Sequence, residues 1–259
     1  MYLMSLLLLS THFMAASMAL AAPPVSIAFA EQPVRLLRDK SFYLAGRGAQ
    51  FQHGDIVESG SGAVQLDGGG AAILALGPAT RLQVRLGPKG SDYLLLAGWL
   101  KVQARAATEG GPVTVSSPGA RIELAAASVI LHAEPGKTAL FVESGQPGVE
   151  ELQPGKRPRR SAIAREQYAV FGTAQPIKVM PRAPREFLGA MPPAFFDALV
   201  PVAARGAMTA PKLDRPATFA EIAPWLADQP ELRQALYRRF HPPKPRAAAP
   251  YSTTAKDPS

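Results

Sequence analysis

The residues of this sequence that could carry chemistry are few and widely spaced. None of the four histidines has a second histidine or a carboxylate at the spacing of a metal-binding motif. The chain has no cysteine, which excludes thiolate ligands, a cysteine nucleophile and disulfides. Ser117 and Ser144 lack the setting of a nucleophile elbow. We therefore predict no metal site, no cofactor and no enzyme activity. The histidines are His12, His53, His132 and His241.

Two further groups of residues resemble sites but are better explained as turns. The run Gly68-Gly69-Gly70 lacks the Lys-Ser/Thr of a phosphate-binding loop, and the apolar residues after it are typical of a strand. Asp55 and Glu58 are close enough in sequence to suggest paired carboxylates. However, an aspartate in a turn usually accepts hydrogen bonds from nearby backbone N–H groups. We favour that role for Asp55.

Short alternating apolar runs dominate the sequence between Gly54 and Leu82. Val64 and Leu66 would share one face of a strand, and Ile73 would share a face of the next strand with Ala75, because side chains alternate along a strand. Turn formers separate these runs, and similar turn signals recur further along the chain. This pattern predicts an all-β sandwich, barrel or solenoid, and it does not separate the three. The later turn signals are Pro118-Gly119, Pro135-Gly136, Pro147-Gly148 and Pro154-Gly155.

The same stretch contains an ordered run of turn formers and apolar residues, with a further match in a later strand. Its positions are Gly54, Asp55, Val57, Ser59, Gly60, Leu66, Asp67, Gly68, Leu74, Pro78, Leu82 and Gly98. This ordered run resembles the core signature of the FecR-type periplasmic domain. The resemblance covers roughly residues 34–171 and implies a β-solenoid-like fold that binds another protein. The sequence departs from the family at Arg121-Ile122-Glu123, where a Gly-Thr pair is missing. FecR regulators also carry a cytosolic anti-sigma region and a membrane helix, whereas here we expect only a signal peptide ahead of the domain.

The N-terminus predicts export. Residues 1–21 contain no charged residue and have an apolar run that ends in Ala19-Leu20-Ala21, a small-x-small cleavage site. The alternative is an uncleaved membrane anchor, for which the polar residues Ser10 and Thr11 are unfavourable. No other segment is long and apolar enough to span a bilayer. We therefore expect a periplasmic protein.

The sequence after Phe171 is rich in proline and has helical spacing. Thr218 and Glu221 form a capping box, and Pro224 should end or kink the helix that follows. Asp228-x-x-Glu231 predicts a second helix that reaches Phe240, and a further short helix is expected over residues 194–199. The predicted domains are thus an all-β domain at 25–171, a Pro-rich linker and helical region at 172–240, and a disordered tail at 241–259.

The net charge of +8 is unevenly distributed. The β region is nearly neutral, while positive charge is concentrated in the C-terminal part and in the segment Lys156-Arg157-Pro158-Arg159-Arg160. This basic segment could bind anionic envelope polymers or lipid headgroups, or it could be a solvated loop between two strands. The export signal and the lack of interleaved aromatic residues argue against nucleic-acid binding.

The leading hypothesis is an exported, non-enzymatic envelope protein whose FecR-like domain binds another envelope protein as a sensor, adaptor or scaffold. Its candidate interaction residues are the basic segment and Trp99, although a core role is favoured for both Trp99 and Trp225. The alternative is a peptidoglycan- or polysaccharide-binding module that uses exposed aromatic residues such as Tyr93 and Tyr168 beside the basic segment.

Overall fold

The computed structural model describes residues 24–88, 90–106, 111–153, 155–202 and 209–242. The expected signal peptide at residues 1–21 and most of the expected tail lie outside these ranges. The strands are β1 (Val25–Ala30), β2 (Val34–Arg38), β3 (Ser41–Ala45), β4 (Ile56–Glu58), β5 (Val64–Gly68), β6 (Ala72–Leu76), β7 (Arg81–Gly87), β8 (Gly90–Ala104), β9 (Val113–Ser117), β10 (Ala120–Leu124), β11 (Ser128–Glu134), β12 (Lys137–Ser144), β13 (Gly148–Glu151), β14 (Arg159–Ala162), β15 (Tyr168–Gly172), β16 (Gln175–Met180) and β17 (Lys212–Pro216). The helices are α1 (Arg185–Ala190), α2 (Phe219–Ile222) and α3 (Pro230–Phe240), with 3₁₀ turns at Pro193–Phe195 and Ala223–Leu226.

One long strand, β8, belongs to two sheets. Its first half pairs with β7 and β9, and its second half pairs with β6 and β11. The two halves meet at Gly98, which has a φ of +87°. A Cβ atom at this position would lie 2.6 Å from the hydroxyl oxygen of Thr80. Glycine is therefore required where the strand passes from one sheet to the other.

The first sheet has the strand order β1-β5-β6-β8-β11-β12-β15-β16. The second sheet has the order β17-β3-β2-β4-β7-β8-β9-β10-β13-β14, in which only the β8–β9 pair is parallel. Their inner faces share one apolar core, with Leu66 and Leu131 from the first sheet and Leu36 and Ile122 from the second. The mainly-β prediction is confirmed. The solenoid implied by the FecR resemblance is not confirmed.

The outer face of the first sheet is covered by residues 181–202, which follow β16 and which we call the C-terminal segment. Phe187 of α1, Met191 and Phe195 form a cluster with Trp99 and Tyr168 on that face. Strand β6 is consequently buried along its whole length. This explains why its apolar residues do not alternate strictly with polar ones.

The last helices cover one end of the outer face of the second sheet. Ile222 and Trp225, together with Leu236 of α3, form a cluster with Phe42 and Ile56. The C-terminal region is therefore packed on the β structure, and β16 and β17 extend that structure beyond the expected boundary at Phe171. Within the described ranges, no helix has the length and apolar character needed to cross a membrane.

The helix predictions are only partly confirmed. The capping box at Thr218 and Glu221 is present, and α2 changes to a 3₁₀ turn at Ala223, next to Pro224. Helix α3 begins at Pro230, while the carboxylate of Asp228 accepts a hydrogen bond from Gly136 N at 2.8 Å. The helix expected over residues 194–199 is wrong, because only a 3₁₀ turn at Pro193–Phe195 forms there. Helix α1 was not predicted.

Candidate interaction surface

The signature residues around Asp55 stabilise a turn. Asp55 is 1% exposed, and its Oδ2 accepts a hydrogen bond from Gln52 N at 2.7 Å, as expected for a turn aspartate. The guanidinium of Arg38 donates two further bonds, from Nε to Oδ1 at 3.0 Å and from Nη2 to Oδ2 at 2.7 Å. This hydrogen bonding raises the pKa of Arg38. No sequence pattern indicated that Arg38 would be the partner of Asp55.

Asp55 and Glu58 do not form a carboxylate pair. Glu58 forms ion pairs with Arg35 and with Arg81, the latter at 2.8 Å. Both guanidinium groups also lie over the ring of Trp225, at 5.5 Å and 4.8 Å from its centroid. These charges therefore hold the C-terminal helices against the second sheet.

The remaining signature residues also have structural roles. The glycine run after Asp67 is a turn, as predicted: Gly69 and Gly70 have φ values of +68° and +77°, and Asp67 Oδ1 accepts a bond from Gly70 N at 3.0 Å. A Cβ atom on Gly68 would lie 2.9 Å from the hydroxyl oxygen of Tyr93. The other positions belong to the core, to tight turns or to the bend of β8: Val57, Gly60, Pro78 and Gly98.

Trp99 is buried beneath the chain's own C-terminal segment. The residue is 8% exposed. Its ring stacks on His132 at 4.0 Å between centroids and lies 5.0 Å from the ring of Phe187. The core role favoured for Trp99 and Trp225 is confirmed. Trp99 is therefore not available on the surface as an interaction residue.

The aromatic platform proposed for polysaccharide binding is wrong. Tyr93 is 0% exposed and Tyr168 is 5% exposed, so neither ring can stack on a sugar. Burial raises the pKa of both phenols. Tyr93 lies in the shared core, and Tyr168 packs edge-on against Phe187 with ring centroids 4.9 Å apart.

The described residues contain no group of three or more His, Asp or Glu side chains that could hold a metal ion. His53 Nδ1 lies 2.8 Å from the backbone oxygen of Leu86. Burial lowers the pKa of His132, which favours its neutral form. Both imidazoles are thus involved in local packing or hydrogen bonding.

A cavity of about 720 Å³ lies where the C-terminal segment crosses the first sheet. Lys101, 1% exposed, lies in its wall, and its Nζ atom donates to Glu143 Oε1 at 2.8 Å. The same Nζ atom donates to the backbone oxygens of Phe195 at 2.7 Å and Asp197 at 2.8 Å. All three donors of the ammonium group are used, so Lys101 anchors the segment instead of serving as a free cation.

The basic segment lies at the end of the second sheet. Arg159 and Arg160 belong to strand β14, so the description of the whole segment as a loop is wrong for these two residues. All four residues of β14 are exposed, and within the described ranges the strand pairs only with β13. We refer to β14 together with Lys156 and Arg157 as the basic edge.

The cations of the basic edge differ in their contacts. Arg160 forms an ion pair with Glu123 of β10 across Gly148. Lys156 Nζ donates to Gln153 Oε1 at 2.6 Å. Among the described residues, no carboxylate lies within ion-pair distance of Lys156, Arg157 or Arg159. Three exposed cations are therefore available to an acidic partner.

A polar surface adjoins the basic edge. The outer face of the second sheet, left open by the C-terminal helices at this end, has a cavity of about 220 Å³. Charges of both signs line it, so the excess of positive charge lies at the edge and not on this face. The lining residues are Pro112, Thr114, Arg121, Glu123, Gly148, Glu150 and Arg160.

No protein-family model and no curated protein matches this chain. Two crystal structures of a "putative anti-sigma factor" from Parabacteroides distasonis, at 2.50 and 1.65 Å resolution, are similar in part. The first is 15% identical with a TM-score of 0.40 over 49% of this chain and 59% of that chain. The second is 18% identical with a TM-score of 0.38 over 51% and 57%. The chain thus spans less than two thirds of either, and at these scores neither structure informs function.

Proposed function

We propose that this chain is an exported, non-enzymatic envelope protein that binds another protein through its basic edge. The proposal gives the FecR-like region the role of an adaptor, sensor or scaffold in the periplasm. It rests on the sequence for export, on the family resemblance for protein binding, and on the geometry of the basic edge for the site.

The observation that carries the proposal is the cluster of Lys156, Arg157 and Arg159 beside an exposed strand. Their charges have no carboxylate partner in the described structure, while most other charges on the two sheets are paired or packed. Unpaired surface cations attract acidic partners and accelerate their association. The chain's own C-terminal region covers the two apolar clusters on the outer faces of the sheets.

Site-specific photocrosslinking in cells tests this proposal. A photoreactive phenylalanine analogue at Ser161, which is exposed on β14 and carries none of the proposed charges, should capture a discrete envelope protein. The same analogue at Tyr237, which is 50% exposed on α3, is the matched control and should not capture it. Equal capture from both positions, or none from Ser161, contradicts the proposed site. Cell fractionation tests the location, and recovery in the cytosol contradicts export.

Binding of an anionic envelope polymer is the second candidate, favoured by the same exposed cations. It no longer relies on Tyr93 and Tyr168, since both are buried. Polymer binding predicts that purified sacculi retain the protein at low salt and release it as salt rises. If charge reversal at Arg157 and Arg159 leaves the retention unchanged, the basic edge is excluded as the polymer-binding surface.

A further inference from the structure

The two sheets end in four described edge strands, and β14 differs from the other three. The side of β1 that faces away from β5 is already bonded to residues 48–51, and the β1–β5 pairing shifts register between Ile27 and Phe29. The pairing of β17 shifts register between Leu213 and Arg215. The β15–β16 pairing shifts at Val170. Such irregularities distort an edge and hinder the addition of a strand. β14 pairs with β13 residue by residue without a shift.

The backbone of β14 has hydrogen-bonding groups that point away from the sheet. Ile163 N donates to Pro147 O at 3.2 Å, which makes this a hydrogen-bonded pair. Hydrogen bonding alternates along an antiparallel pair, so the backbone groups of Ser161 face β13. Those of Arg160 and Ala162 face outward. They form the template that an additional strand requires.

The charge of β14 selects against a second copy of this chain. Two copies that paired through β14 would bring the arginines of both strands together, and like charges on paired strands repel. A segment with negative charge would instead be attracted. The arginines therefore protect the edge from self-association and at the same time specify an acidic partner.

We propose that β14 accepts an extended acidic segment of a partner protein as an additional strand. This inference rests on the proposed function and specifies how the partner binds. Arg159 and Arg160 point to opposite faces, and Arg160 is already paired with Glu123. The free positive charge is on the Arg159 side, together with Lys156 and Arg157. The segment should therefore carry acidic residues at alternate positions, all on the side that faces Arg159.

A small hollow on this side suits a carboxylate. It has a volume of about 80 Å³, and Lys156, Arg157 and Arg159 are in its wall. Glu151 also lines it, but its Oε1 accepts bonds from Gln153 Nε2 at 2.6 Å and from Ile177 N at 3.3 Å. The one carboxylate in the hollow thus already has donors within the chain.

A designed peptide with alternating valine and glutamate, capped at both ends and labelled with a fluorophore, is the probe. Its binding to the mature protein is measured by fluorescence anisotropy. A lysine-for-glutamate peptide controls for charge, and a peptide N-methylated at alternate amides controls for strand pairing. Ala162→Pro removes an outward N–H group without changing the bonds to β13, and Ala162→Val is its matched control.

We expect the acidic peptide to bind and the lysine peptide not to bind. N-methylation and Ala162→Pro should each weaken binding by about tenfold, and Ala162→Val by less than about twofold, because only the first two remove backbone hydrogen bonds. If the N-methylated peptide binds as tightly as its parent, strand addition is wrong. The binding is then explained by electrostatic attraction alone.

The proposed function is judged separately, by the photocrosslinking at Ser161. If a partner is captured there but the acidic peptide does not bind, strand addition is wrong. The basic edge is then still supported as the interaction surface. Failure of both experiments overturns both proposals.

Discussion

The covered face of the first sheet and the basic edge of the second sheet use positive charge in opposite ways. On the covered face, Lys101 is buried and bonded to three oxygen atoms, which hold the C-terminal segment over an aromatic cluster. At the basic edge, Arg157 and Arg159 are exposed and have no carboxylate partner in the described structure. The chain thus covers apolar surface of the first sheet with its own C-terminal segment and leaves the charged strand β14 exposed.

Replacement of Lys101 should have the largest effect on stability. Lys101→Met removes the donor of Glu143 Oε1 and of two backbone oxygens, while Glu143 Oε2 keeps its bond from Ser128. Loss of one partner of a buried pair costs about 4 kcal/mol. The free energy of unfolding by denaturant measures the loss. Lys137→Met, which removes an exposed ion pair with Glu134, is the control and should cost less than about 1 kcal/mol. Similar losses of unfolding free energy for both variants would contradict the difference expected between the buried Lys101 and an exposed ion pair.

Truncation of Phe187 should have the next largest effect. Its ring contacts those of Trp99, Phe141 and Tyr168, and a buried Phe→Ala change costs about 3 kcal/mol. Phe196→Ala, at a side chain that is 61% exposed, is the control and should change stability by less than about 0.5 kcal/mol. Limited proteolysis should cleave the C-terminal segment faster in Phe187→Ala only. An unchanged cleavage rate would contradict the role of the ring as the cover of this face.

His132 should make the covered face sensitive to mild acid. Burial lowers its pKa from an unfolded value near 6.5, so the unfolded chain binds the proton more readily. The stabilisation is complete above pH 6.5 and is lost as the pH falls through the lower folded pKa. Thermal melts at pH 7.5 and 5.5 should show a larger decrease for the wild type than for His132→Phe. An equal decrease would mean that the imidazole does not contribute.

Glu221 should give the smallest effect, and at more acidic pH. The hydrogen bond from Arg215, followed by those from Thr218, lowers its pKa to about 2 from 4.5. The stabilisation is therefore present above pH 4.5 and is lost as the pH falls toward 2. The melting temperatures of wild type and Glu221→Gln should converge between pH 5 and pH 2. A constant difference would show that this exposed pair does not hold the start of α2.

The sequence predicted local structure better than long-range contacts. Alternating residues predicted the strands, and Thr218 and Glu221 predicted α2, because these signals lie within one element. Nothing in the sequence showed that Lys101 would meet the backbone of residues 195 and 197, or that Arg38 would pair with Asp55, since those contacts depend on how distant strands are arranged.

The candidate site could be predicted only in part, because its position in the fold also depends on how distant strands are arranged. The basic segment was recognised from its composition, but β14 could not be identified as an edge strand before the sheet order was known. Tyr93, Trp99 and Tyr168 were considered for the surface because the burial of an aromatic residue depends on which segment covers it. The C-terminal segment, which covers Trp99 and Tyr168, lies in the region that was predicted to be a linker because of its prolines.

The most direct test of the account compares two charge reversals of equal size. The double variant Arg157→Glu, Arg159→Glu changes the basic edge, and Arg238→Glu, Arg239→Glu changes exposed residues of α3. Capture of envelope partners is measured for both after in vivo crosslinking, together with the free energy of unfolding. We expect the first variant to lose its partner while its stability changes by less than about 1 kcal/mol. The second should retain its partner, with a loss of stability because it places negative charge at the C-terminus of α3. Full capture by the first variant, or equal loss by both, would contradict the basic edge as the binding surface.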